Sequence, residues 1–222
     1  MGMGVKEREK MAKRAAAEIK PGMVVNLGIG IPSLVPNFLP LHVSVMFQAE
    51  NGLVGIGPSP KNGEEDVNLC NAGGLPITIV PGASYSDSTV SFAMIRRGRV
   101  DMTILGALQV SEKGDLANWI VPGKKVPGMG GAMELAQKAK KVIVLMNHTD
   151  KHGHAKIVRN CTLPLTSRGC VDLIITEMAV FQVEKDGLIL SELAEGCTLE
   201  AIKRVTACPF SVKDNLKVIP RE

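Results

Sequence analysis

The 222-residue sequence predicts an α/β fold. The expected form is an open, largely parallel sheet with helices on both faces and an antiparallel hairpin near one edge. Three observations carry this. Short β-prone runs alternate with helical stretches along the chain. Several runs, such as Asp101 to Leu105 and Lys141 to Met146, are mostly apolar, as strands buried on both faces must be. Late in the chain, Ala179 to Val183 and Leu188 to Leu190 flank Lys185-Asp186-Gly187, the pattern of a hairpin. The length suits one domain, 1–222, with a sizeable core.

Residues 5–20 read as the first helix. Val5, Met11, Ala12, Ala15, Ala16 and Ile19 make a mostly apolar stripe among charges, and Pro21-Gly22 ends it. Met23 to Leu27 is a short strand that enters Gly28-Ile29-Gly30-Ile31-Pro32-Ser33, with Ser33 placed to cap a helix to Leu39. Gly28 and Gly30 after a strand resemble a phosphate-cradling turn. The same residues also read as a tight strand-to-helix connection, and Pro32 breaks any dinucleotide fingerprint. Val43 to Phe47 is the next strand. Lys61 to Asp66 is a polar loop, Ile77 to Val80 a strand, and Pro81-Gly82 a turn. Ser88 to Arg97 is a helix closed by Gly98. The loop from Ser111 to Gly123 holds the single tryptophan, Trp119, expected to pack in the core. Val171 to Ile175 precedes the hairpin, and Thr198 caps a helix to Val205. The tail, 213–222, is polar and expected to be loose.

Composition narrows the function classes. Aromatic residues are only 3%, too few for base-stacking platforms, and a net charge of +4 is weak support for nucleic acid. Five scattered cysteines without a Cys-x-x-Cys pair argue against a disulfide framework or zinc ribbon and fit a reducing, cytoplasmic setting. The charged N-terminus has no secretory h-region, and no apolar run approaches a membrane span. His148, His152 and His154 have metal-like spacing, but Asp150, Lys151 and Gly153 make that stretch a polar loop, so no metal is expected.

Two stretches carry the chemistry. In the first, Val43 to Phe47 leads into Gln48-Ala49-Glu50-Asn51-Gly52-Leu53-Val54-Gly55-Ile56-Gly57-Pro58. A carboxylate at the carboxyl end of a buried strand is placed to meet a ligand. On position alone, Glu50 reads equally well as a surface acid in an Asn-Gly turn. In the second, Gly128-Met129-Gly130-Gly131-Ala132-Met133 precedes a helix start. Unpaired N–H groups there can hold an oxyanion.

Both stretches resemble the family I coenzyme A transferases of the 3-oxoacid type. Their active-site pattern is Ser-Glu-Asn-Gly, two apolar residues, then Gly. The resemblance runs from Val25 to Val212 and is to the β subunit of a two-subunit enzyme. It implies an open α/β sheet shared with some sugar-phosphate isomerases, and a nucleophile at Glu50. It also implies an oxyanion-binding N–H at Gly131, supported by Gly130. Asn51, Met129, Gly28 and Gly30 are expected to line the substrate cleft. It implies no cofactor, coenzyme A being a substrate, and a homologous α subunit in an α2β2 assembly. Two departures stand out. Ala49 replaces the usual Ser, and Gly74-Leu75 replaces a common Lys-Glu pair after Asn-Ala-Gly. An acyl-CoA hydrolase using the same Glu, a sugar-phosphate isomerase, or a non-catalytic sensor subunit are the alternatives on this scaffold.

Overall fold

The structure, a computed structural model, describes residues 4–40, 42–123, 126 and 128–219. Helix α1 (Val5–Ala16) leads into β1 (Val24–Leu27), a 3-10 helix (Ile31–Phe38), β2 (Met46–Ala49), β3 (Leu53–Ile56), β4 (Ile79–Tyr85) and α2 (Ser88–Arg96). Next come β5 (Met102–Gly106), β6 (Gln109–Ser111), β7 (Leu116–Ala117), α3 (Ala132–Lys138), β8 (Val142–Leu145) and β9 (Ile157–Val158). The chain closes with β10 (Leu173–Ile175), β11 (Ala179–Glu184), β12 (Gly187–Ala194), α4 (Leu199–Val205) and β13 (Phe210–Ile219).

Among the described residues these strands form a ten-stranded sheet ordered β13-β12-β11-β10-β8-β5-β1-β2-β3-β4 and a three-stranded sheet β7-β6-β9. The central run from β10 to β2 is parallel throughout. Its strands are largely buried on both faces, and alternate apolar residues feed two separate cores. In β8, Val142 and Val144 join one cluster while Ile143 and Leu145 join the other. Helix α1 and the 3-10 helix cover one face through Met11, Ala12, Ala15 and Val35. Ala136 of α3, Ile202 of α4 and the small sheet cover the other. Arg14 ties α1 down with a two-pronged hydrogen bond to Glu192 on β12, both at 2.7 Å. Thr198 caps α4 as expected, its hydroxyl accepting from Ala201 N at 3.2 Å.

Several expectations need correction. The tail does not hang loose: Phe210 to Ile219 is the edge strand β13, paired in parallel with β12, and residues 220–222 lie outside the described residues. Residues 1–3 of the N-terminal segment do as well. Pro81-Gly82 is not a turn but part of β4, an edge strand, where a proline's missing N–H faces no ladder partner. The expected hairpin is present as β11 and β12, but the opposite edge is antiparallel too, through β2, β3 and β4. Ser33 does not cap the helix after β1. Gly30 does, and the Ser33 hydroxyl donates back to Gly30 O at 2.7 Å. Trp119 is half-buried rather than in the core, its indole N–H donating to Leu165 O at 3.3 Å.

His148 is fully buried between the hydroxyls of Thr176 (3.0 Å) and Thr206 (2.9 Å), while His152 and His154 are exposed. No three His, Cys, Asp or Glu side chains gather as metal ligands among the described residues. Burial pushes the His148 imidazole from its ordinary 6.5 down to about 4. The unfolded chain therefore takes up a proton first as pH falls, and stability drops between those two values. His148→Gln should be less stable than wild type at pH 7. The gap between them in urea unfolding should narrow by about 3 kcal/mol on going to pH 4. A gap independent of pH would contradict this.

Candidate active site

Register places the candidate residues on one edge. Asn26 of β1 pairs with Gln48 of β2 and Thr103 of β5, so the ends of all three strands lie side by side. Glu50 follows β2 directly, at the carboxyl edge of the parallel run, where ligands bind in such sheets. The chain then reverses. Glu50, Asn51 and Gly52 form the turn between β2 and antiparallel β3, with Gly52 N donating to Ala49 O at 3.1 Å. Gly52 sits at φ 121°, and a Cβ there would run into Ser86 O. Glu50 is thus both in an Asn-Gly turn and half-buried.

The Glu50 carboxylate has neighbours on two sides. Asn26 Nδ2 lies 3.4 Å from Oε2. From the other side come Gly130 and Gly131. A Cβ on Gly131 would stand 3.1 Å from Glu50 Cγ and 3.2 Å from its Cβ, and one on Gly130 would stand 3.7 Å from Oε1. The two sequence-predicted stretches, 81 positions apart, therefore meet here. Gly131 is the N-cap of α3, which starts without a side-chain cap. First-turn N–H groups after Ala132, whose own N–H donates to Met129 O, are available in that setting to an external acceptor. Gly130 needs its missing side chain for a different reason, a φ of 52°. Met129 is half-buried in the preceding turn, its carbonyl accepting from Ala132 N at 3.2 Å, while Pro127 lies outside the described residues.

The other expected residues make contacts of their own. Asn51 is exposed, and its amide donates to Cys70 O at 3.0 Å, so it fastens the 70–75 loop rather than Glu50. Gly28 is required by β5: its N–H donates to Ile104 O at 2.8 Å, and a Cβ would stand 3.2 Å from that oxygen. Gly30 has φ 89° and opens the 3-10 helix. That start offers little to a phosphate, because Pro32 has no N–H and Ser33 N donates to Gly30 O. Gly55 and Gly57 are pressed against Ala83 and Thr78, so these glycines serve sheet packing and not a ligand loop. Gly74 lies in a tight turn with φ 74°, its N–H donating to Asn71 O. The next-door Gly73 packs on Ile29, which puts this turn over the end of β1.

Asn26 is the contact that sequence patterns do not single out. It is a polar residue inside a short buried strand, and buried amides must be hydrogen-bonded. That mismatch was the available signal. No competing thiol nucleophile appears among Cys161, Cys170 and Cys208, which burial pushes up to about 11 each. Lys156 occupies the same edge farther along, donating to Ala107 O at 2.9 Å, and burial lowers it to about 8.

The sequence profile of the coenzyme A transferases matches residues 8–204. The chain belongs to that family. Within it, a Bacillus subtilis protein named as the probable beta chain of a coenzyme A transferase is 66% identical over 212 residues, covering 96% of this chain and 98% of the relative. One of the chains of the succinyl-CoA:3-ketoacid coenzyme A transferase of Helicobacter pylori (strain 26695) is 51% identical over 206 residues, covering 93% and 99%. Among solved structures, an acyl-CoA transferase apoenzyme from Escherichia coli O157:H7 superposes with a TM-score of 0.79 at 22% identity. That match takes in all of this coenzyme A transferase chain and 44% of the other, and supports the α/β fold. No helix among the described residues is long and apolar enough to cross a membrane.

Proposed function

We propose that this coenzyme A transferase moves CoA between an acyl-CoA and a free carboxylic acid through a thioester on Glu50. The observation that carries the reading is the Glu50 carboxylate, held between Asn26 Nδ2 and the Gly130-Gly131 turn at the open edge of the sheet. A Glu50 oxygen attacks the thioester carbonyl carbon, and an oxyanion forms. The C–S bond breaks, CoA thiolate leaves, and a mixed anhydride joins the acyl group to Glu50. The thiolate attacks the Glu50 carbonyl carbon and expels the acid, leaving glutamyl-CoA. The acceptor acid runs these steps in reverse, so kinetics are ping-pong. The backbone N–H of Gly131, aided by Gly130, stabilises the substrate oxyanion. One such donor contributes roughly 3 kcal/mol. The reaction uses CoA as a substrate and asks for no further cofactor.

In this reading the chain is a β subunit that works with a homologous α subunit, as α2β2 in the cytoplasm. The support is a set of exposed apolar side chains on segments that carry site residues: Ile29 after β1, Leu75 after the 71–74 turn, Val90 beside Ser91 on α2, and Met133 in the first turn of α3. If a partner covers them together, they form an apolar contact surface. Co-expression with the α subunit should give transferase activity that this chain lacks alone. Full activity from the isolated chain would refute the two-subunit reading.

Ile29 and Leu75 also bear on the acceptor, and Gly74 offers no side chain to pair with a second carboxylate. In the co-expressed complex, acetate, butyrate or acetoacetate should exceed succinate in kcat/KM by about tenfold. A preference for succinate would overturn that part.

A further inference from the structure

Beneath Glu50 lies a chain of buried polar side chains, of which the reading above uses only Asn26. Thr103, Asn26 and Gln48 sit in register on three neighbouring strands, and Ser91 of α2 stands over the end of β2. All four are at most 2% exposed. Thr103 Oγ1 lies 3.3 Å from Asn26 Oδ1. Asn26 Nδ2 lies 2.9 Å from Gln48 Oε1, 3.1 Å from Gln48 O and 3.4 Å from Glu50 Oε2. Gln48 Nε2 lies 2.9 Å from Ser91 Oγ, which lies 3.3 Å from Ala49 O.

The chain has a direction, set at its far end. Ala49 O can only accept, so the single Ser91 proton points there. Ser91 Oγ must then accept from Gln48, which turns the Gln48 amide nitrogen toward α2 and its oxygen toward β1. That oxygen requires a donor, so Asn26 presents N–H to Gln48 and, beyond it, to Glu50. Thr103 closes the other end by donating to Asn26 Oδ1. Were the Asn26 amide reversed, its oxygen would face the Glu50 carboxylate and repel it, and Thr103 would meet an amide N–H. Gln48 and Glu50, on either side of the end of β2, both face Asn26 Nδ2.

We infer that Gln48 and Ser91 are positioning residues for Glu50, acting through Asn26. They fix the amide so that a donor always meets Oε2, leaving Oε1 free on the Gly130 side to attack. The inference rests on the Glu50 reading above. No bond to either residue is made or broken in the reaction.

The test uses the co-expressed complex carrying Ser91→Ala or, separately, Gln48→Met. Formation of the glutamyl-CoA adduct is timed by rapid quench and mass analysis at saturating acetoacetyl-CoA, per folded complex, beside KM and thermal unfolding. Both variants should form the adduct about 10- to 100-fold more slowly, with KM for acyl-CoA within about threefold of wild type. Adduct formation at the wild-type rate per folded complex, even with a lower Tm, would show these residues to be structural only and overturn the inference. Absence of any adduct in wild type would instead overturn the Glu50 reading, and this inference with it.

Discussion

Glu50→Ala should lower transferase turnover by at least about 10,000-fold in the assembled enzyme, because no other group can carry the CoA. The site supports a loss of that size. Asn26 and the glycine turn converge on this carboxylate. Glu50→Gln keeps the shape but removes the charge, and should be nearly as inactive. Glu50→Asp keeps the charge but withdraws the carboxylate from both neighbours. A misplacement of that kind costs about 100-fold or more. Acyl-CoA binding should survive all three, since the rest of the edge is untouched. Steady-state rates with the acyl-CoA KM check this, and near-native turnover in Glu50→Ala would remove the nucleophile from the account.

The next largest effect belongs to Gly131→Ala. Its backbone, at φ −80°, accepts alanine without strain, so folding should be nearly unaffected. The added methyl, however, would stand 3.1 Å from Glu50 Cγ and 3.4 Å from Cδ. Either the carboxylate or the turn must yield by a few tenths of an ångström. A fall of about 100-fold in kcat is expected from the combined shift of nucleophile and oxyanion donor. Gly130→Ala makes the contrast. Its φ of 52° penalises any side chain, by about 1 to 2 kcal/mol of stability, but the new methyl only touches Oε1 at 3.7 Å. Stability should fall there while turnover falls less than in Gly131→Ala. The reverse pattern would mean that the turn, and not its contact with Glu50, matters.

Much of this was legible because apolar runs leave little choice. The strands β5, β8 and β10 are buried on both faces, and their composition admits no other placement. The edges were harder to read. Strand β13 contains Lys213, Asp214, Asn215 and Lys217, and a polar stretch looks the same whether it lies free or pairs at a sheet margin. Pro81-Gly82 misled for a related reason: turn residues are tolerated in an edge strand such as β4. At the site, Glu50 and Gly131 were found by pattern, but their approach is a fact of topology. Asn51, next to Glu50 in the chain, donates to Cys70 O, whereas Asn26 reaches the carboxylate from the neighbouring strand. Only the β1–β2 register puts the Asn26 amide beside Glu50.

The most direct test of the central claim is a trapping measurement. The complex of this chain with its α subunit is incubated with acetoacetyl-CoA in the absence of an acceptor acid, digested, and analysed by mass spectrometry. The account predicts a CoA adduct on the peptide containing Glu50, lost in Glu50→Ala and converted by hydroxylamine to a hydroxamate at the same residue. An active complex that transfers CoA with no adduct on that peptide, or with the adduct on another residue, would contradict it.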